Sequence, residues 1–104
     1  MSFTIDAEIP SILKSPTAHL DYGFDWNGWL ASGETIADTS WAIVVPDSAD
    51  ASPLVDAGHS TSDGVTTIWL DAGTAGEAYQ VFCTITTSAG RIDTRSFEVA
   101  VTIR

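Results

Sequence analysis

A reaction centre needs side chains that can attack, hold a proton or hold a metal, and this chain offers few of them in useful company. Its histidines are His19 and His59, and its single cysteine is Cys83. Nucleophilic catalysis needs a Ser, Cys or Thr beside a base. Yet His19 alternates out of an apolar stripe, and His59 lies in the polar run Ala57-Gly58-His59-Ser60. Cys83 falls on the inward face of an expected strand, where a lone thiol packs as a small hydrophobe. A reactive thiol would want an electropositive, partly exposed setting. The sequence holds no CxxC pair, no HExxH and no D-x-D-x-D-G calcium loop. Asp47 with Asp50, or Asp21 with Asp25, has the oxygen chemistry for a surface calcium, but aspartates also populate turns for backbone reasons alone. Fourteen acidic residues supply many carboxylate pairs for glycoside chemistry, and nothing selects one of them. The expectation is a protein without catalytic residues, cofactor or metal, and not an enzyme.

The tryptophans are the stronger signal: Trp26, Trp29, Trp41 and Trp69 are dense for 104 residues. Trp41 is in register with Ile43 and Val45, which assigns it to the core. Trp69 falls on the opposite face from Ile68 and Leu70, and Trp29 sits in the loop Asn27-Gly28-Trp29-Leu30, outside any core stripe. Trp29 and Trp69 fit two roles equally, packing under a loop or contacting a partner, where exposed aromatics are enriched among hot spots. Arg91 and Arg95 are two of only four basic residues and lie next to and beyond the Ser88–Gly90 turn. They are candidates for pairing with an acidic partner, although exposed ion pairs contribute only about 0–1 kcal/mol.

The elements that must position these residues read as strands. In Leu20-Asp21-Tyr22-Gly23-Phe24-Asp25-Trp26 the even positions are large and apolar, the period of a half-buried strand. The same alternation runs through Phe97, Val99, Val101 and Ile103, through Tyr79, Val81, Cys83 and Ile85, through Trp41, Ile43 and Val45, and more weakly through Phe3, Ile5, Ala7 and Ile9. Turn signals separate the stripes, among them Asn27-Gly28, Ser62-Asp63-Gly64, Gly73-Thr74-Ala75-Gly76 and Ser88-Ala89-Gly90. We expect strands at about 3–9, 19–26, 35–45, 54–58, 65–71, 78–87 and 91–103, and no helix. Short strands between turns imply an all-β, antiparallel sandwich of about seven strands, of the immunoglobulin-like or fibronectin-like type.

One local feature sharpens that expectation. In Ala75-Gly76-Glu77-Ala78-Tyr79 a glycine corner precedes a Tyr that opens an inward-facing strand, the pattern of a tyrosine corner. Tyr79 and Gly76 are therefore expected to be structural, with the phenol bonded to backbone a few residues upstream. Pro10 and Pro16 bracket a break near the start, because proline cannot donate to a ladder. Residues 1–16 are expected to form an N-terminal arm or a first strand that switches sheets, and residues 17–104 the sandwich domain.

Composition excludes several partners. Hydrophobic residues at 44% and charged residues at 17% mark a folded domain rather than a disordered chain. A formal charge of −10 repels phosphate backbones and anionic membranes, which removes nucleic acid and lipid surfaces as partners. One cysteine permits no internal disulfide and suits synthesis in a reducing cytosol. The start Met1-Ser2-Phe3-Thr4-Ile5 lacks the basic region of a signal peptide.

Taken together, the run Leu20 to Trp26, then Trp29-Leu30-Ala31-Ser32-Gly33-Glu34-Thr35-Ile36-Ala37 and Ser40-Trp41, resembles the opening of a family of small tailed-phage proteins, the fiber-tail adaptors. The far half is similar too, in Thr67-Ile68-Trp69-Leu70, Gly73 to Tyr79, Ile85 to Arg91 and Asp93-Thr94-Arg95-Ser96. The resemblance covers about residues 14–104 and carries no active site. It implies a virion structural protein, made in the host bacterial cytoplasm, that binds other virion proteins of tail, fiber or capsid in several symmetric copies. A capsid decoration or cement protein is a second role within that class. A carbohydrate-binding module, with Trp faces stacked on sugar rings, is the alternative from another class.

Overall fold

The computed structural model describes the backbone of residues 2–5 and all of residues 11–103. Eight strands make up the described residues: β1 Ser2–Ile5, β2 Ser11–Lys14, β3 Leu20–Asp25, β4 Ile36–Val44, β5 Val55–Ser62, β6 Val65–Asp71, β7 Ala78–Thr87 and β8 Ile92–Val101. They form two four-stranded sheets, β1-β3-β6-β5 and β2-β8-β7-β4, and no helix occurs among them. The fold is all-β, with the core pressed between the sheets. The expected positions 6–9 of the first strand, and the side chains of Phe3 and Ile5, lie outside the described residues.

Period-two patterning builds the core directly. On β7, Tyr79, Val81, Cys83 and Ile85 point inward and are fully buried, facing Phe24, Ile68 and Leu70 of the opposite sheet. Phe24 is the hub of an aromatic seam. Its ring centroid lies 6.1 Å from Trp26, 6.1 Å from Trp41 and 5.6 Å from Phe97, tilted or offset as ring quadrupoles prefer. The Trp26 indole N–H, sealed from solvent, donates to Thr66 Oγ1 at 3.0 Å, so the largest buried side chain leaves no orphan donor.

Two expectations need correction. The sandwich is not wholly antiparallel: β1 pairs parallel with β3, and β2 pairs parallel with β8. Side-chain alternation is the same for either strand direction, so period two could not reveal this. The strand expected at 54–58 runs on to Ser62, because β5 is an exposed edge strand with no buried face to impose alternation. It turns into β6 through Asp63 (φ 53°) and Gly64 (φ 77°), a two-residue hairpin turn with both central residues left-handed.

A second buried polar feature is Lys14 at the end of β2. Its aliphatic stem fills the inward face, and its ammonium donates to Ala72 O at 2.6 Å and Ser15 O at 3.0 Å. Burial lowers its pKa, with Asp71 opposing. The ammonium thus anchors the bend where Ala72 adopts a left-handed φ of 62°.

Between β3 and β6 the backbones meet most tightly at Gly23, where a Cβ would stand 2.6 Å from Thr66 O. That atom is backbone and cannot swing away, so any side chain must part the two strands. We expect Gly23→Ala to destabilise the domain by about 1–3 kcal/mol. A chemical-denaturation midpoint unchanged from wild type would show that the sheet yields there freely.

Candidate partner-binding surface

Three of the four candidate contact residues converge at one end of the sandwich. The loop joining β3 to β4 leaves Trp26, turns through Asn27 and Gly28, and lays Trp29 against Trp26 edge-on, with centroids 5.8 Å apart. Asn27 ties this loop to the β5–β6 turn: its Nδ2 donates to Asp25 Oδ1 at 2.8 Å and to Asp63 O at 3.0 Å. The Arg91 guanidinium lies over the Trp29 ring at 4.0 Å, and that of Arg95 over Trp26 at 4.2 Å. Contacts thus run from the Arg91 cation to the Trp29 ring, edge-on from Trp29 to Trp26, and from the Trp26 ring to the Arg95 cation.

Glu34 organises this end. Its side chain is only 3% exposed, and four donors are aimed at it. Arg91 grips it with Nε to Oε2 at 2.9 Å and Nη2 to Oε1 at 2.5 Å, a two-point clamp. The Thr87 hydroxyl donates to Oε2 at 2.5 Å and the Ala31 N–H to Oε1 at 2.8 Å. These bonds, from Arg91 first, then Thr87 and Ala31, pull the carboxyl down from the usual 4.5 to about 2. Arg91, a candidate for pairing with a partner, therefore pairs within the chain. It remains 45% exposed, so its outer edge is still open to contact.

Trp69 stands apart, on the outer face of the other sheet. It is 38% exposed and stacks on the His19 ring with centroids 5.0 Å apart and planes 17° apart. Asp21 lies across from it on β3. Trp41, on β4, is half-buried and stacked on Phe24. Its indole N–H is shielded from solvent and meets no acceptor among the described residues.

At the opposite end of the sandwich, Tyr79 is fully buried and its hydroxyl accepts from the Thr74 N–H at 3.0 Å, five residues upstream. The same hydroxyl donates to Asp50 Oδ2, and Thr74 Oγ1 donates to Asp50 Oδ1 at 2.5 Å. Hydrogen bonds from Thr74 and then Tyr79 lower the Asp50 pKa, whereas burial, and then the bond to Asp50, raises that of Tyr79. Gly76 has a φ of 94° and donates its N–H to Val101 O at 2.8 Å, closing the corner onto the last strand.

The remaining chemically able groups are occupied or scattered. Cys83 is buried, bonded to Thr66 Oγ1 at 3.4 Å, and burial pushes its thiol up to about 11. Asp25 accepts from Asn27 on its own loop, and Asp50 accepts from Ser52 on its own loop as well as from Thr74 and Tyr79. Among the described residues no three His, Cys, Asp or Glu side chains gather as metal ligands would. Sequence reasoning passed over Glu34, Asp50 and Lys14 as functional anchors. Their partners lie 57, 29 and 58 residues away, where no local signal reaches.

Fold and surface thus define a small two-sheet β-protein whose polar clusters hold its own loops against the sandwich. The chain belongs to the podophage GP4 fiber-tail adaptor protein gp77 family, whose model matches residues 14–100. No curated protein matches it. Among solved structures, the cysteine protease inhibitor EhICP2 from Entamoeba histolytica is similar over 96% of this chain and 94% of its own, with a TM-score of 0.54 and 10% identity. That likeness is one of fold alone.

Two outcomes follow from these clusters. Removing the phenol in Tyr79→Phe strips Asp50 and the Thr74 N–H of a shared partner, and should cost about 1–3 kcal/mol in denaturant unfolding. A loss within error would show that water replaces the hydroxyl. For Glu34, a depressed folded pKa gives stability that is full above the unfolded value near 4.5 and is lost as pH falls toward about 2. The gap in melting temperature between wild type and Glu34→Gln should therefore be widest above pH 5 and narrow steadily below it. A gap independent of pH would mean that the carboxylate's charge is not what holds Arg91.

Proposed function

We propose that this protein is a non-enzymatic virion part that joins tail or fiber components of a phage as a small adaptor. The carrying observation is the family match across residues 14–100. It is supported by the architecture, in which the chemically able side chains are committed to holding loops. The partners are other virion proteins, met in several symmetric copies. The contact residues are Trp29, Arg91 and Arg95 at the loop end, and Trp69 on the outer sheet face. Tyr79, Gly76 and Trp41 serve the scaffold that carries them.

We further read the domain as immunoglobulin-like. Two packed four-stranded sheets, a tyrosine bonded to backbone five residues upstream and an early strand parallel to the last one support that reading. Residues 1–16 then act as an arm or first strand serving both sheets, since Ser2–Ile5 joins one and Ser11–Lys14 the other. A carbohydrate-binding module would want a row of exposed, coplanar rings. The described surface pairs Trp69 with His19 alone, and Arg91 covers one face of Trp29.

Cryo-electron microscopy of purified particles, averaged with the symmetry of each substructure, tests the adaptor reading. Density for this sandwich between tail and fiber is the expected result. Density on the capsid lattice would make it a decoration protein, and its absence from particles would end the virion reading.

A further inference from the structure

Each sheet of an open sandwich ends in strands whose outer N–H and C=O groups have no ladder partner, and natural proteins shield such edges. Three of the four edges here are shielded. The edge strands β1 and β2 are four residues each, and β2 turns the buried Lys14 inward. The edge strand β5 carries Asp56, Gly58 and a register break between Asp56 and His59.

The fourth edge is different. The strand β4 is nine residues long and pairs only with β7 among the described strands. From Thr39 to its end at Val44, and on through Val45, the chain reads Thr-Ser-Trp-Ala-Ile-Val-Val, without charge, proline or glycine. The strand's one irregularity lies before this run, between Ile36 and Asp38, so the remaining register is unbroken to Val44. Ser40, Ala42 and Val44 are exposed, Val44 by 52%. A single hydroxyl bridge, Thr39 to Thr61 at 2.9 Å, crosses to β5 near its start. Such a segment is a ready template for pairing with another strand.

Charge selects the occupant. Exposed carboxylates stand at both ends of the uncharged run, Asp38 before it and Asp47 after it. If two copies paired their β4 strands antiparallel about a centre near Ala42, Asp38 of each would fall beside Asp47 of the other. Two chains of formal charge −10 would meet with like charges at both ends of the new ladder. An incoming strand with basic ends meets attraction at the same two places.

We propose that the free edge of β4 is a strand-docking site for an extended segment of another protein, uncharged through its middle and carrying lysine or arginine at both ends. That this segment comes from a virion protein rests on the adaptor reading; the docking edge does not.

The test uses the whole chain and a synthetic nine-residue peptide of alternating threonine and valine with lysine at each end. Its match with glutamate at each end is the control. Residue-resolved hydrogen exchange should show amides within 39–45 slowed by about tenfold with the lysine-ended peptide at millimolar concentration. The glutamate-ended peptide should leave them unchanged. Val44→Lys and Ala42→Lys, at exposed positions where the fold is checked by circular dichroism, should abolish the slowing. No protection in 39–45, or protection only along β2 or β5, would overturn the proposal. Equal protection by both peptides would overturn its charge selectivity. Protection that grows with protein concentration alone would make a second copy the occupant and overturn the assignment. These outcomes do not depend on where the protein sits in a particle, so a failed edge and a failed adaptor reading remain distinguishable.

Discussion

A carboxylate that is almost closed to solvent is tolerable only if its oxygens are met by donors, and Glu34 is met by four. The Arg91 fork, the Thr87 hydroxyl and the Ala31 N–H come from two separate stretches of chain. Once they close on Glu34, the β3–β4 loop cannot lift from the β7–β8 turn without stranding a charge. The run of cation and aromatic contacts from Arg91 to Arg95 follows from that closure. The clamp brings Arg91 over Trp29, and Trp29 leans on Trp26. A loop rich in Gly, Ser and Asn, which alone would be mobile, is thereby fixed in place on the sandwich.

The other end is held by the same kind of device with different atoms. Asp50 receives Thr74 and Tyr79, and Lys14 reaches the carbonyls of Ser15 and Ala72. Both ends thus join an apolar sandwich to polar knots that span long sequence separations. Neutral or charged, each knot satisfies groups that the fold has withdrawn from water. Little of the acidic surplus is free to act as chemistry at these places, because the best-placed carboxylates are already hydrogen-bonded.

What the sequence revealed and what it concealed divide along the same line. Wherever one face of a strand is buried, alternation exposes it. Tyr79, Val81, Cys83 and Ile85 were legible for that reason, as were Tyr22 and Phe24, and the position of Trp69 on the face opposite Ile68. The strand β5 has no buried face, so its length was not legible. The parallel pairing of β1 and β2 was hidden because alternation carries no direction. Arg91 read as a candidate for pairing with an acidic partner and Glu34 carried no reading of its own, since a pair 57 residues apart leaves no trace in local pattern. Tyr79 is the exception: glycine, then tyrosine at a strand start, is a local pattern with a long-range meaning.

An adaptor of the kind we propose would need surfaces that do not reshape when touched. Loops fixed by the Arg91–Glu34 clamp at one end and the Tyr79 hydroxyl at the other would meet that need, since their geometry is set before any partner arrives. Binding energy then need not be diverted to ordering them. Strand edges meet it in a second way, because a ladder extends a backbone already held by its neighbour on the inner side. The uncharged run of β4, bounded by Asp38 and Asp47, is where the chain leaves an edge without the shielding it applies to the others. In a protein this acidic, an uncharged edge between carboxylates would favour basic strands over its own copies, which is why we assign the β4 edge to a basic-ended partner.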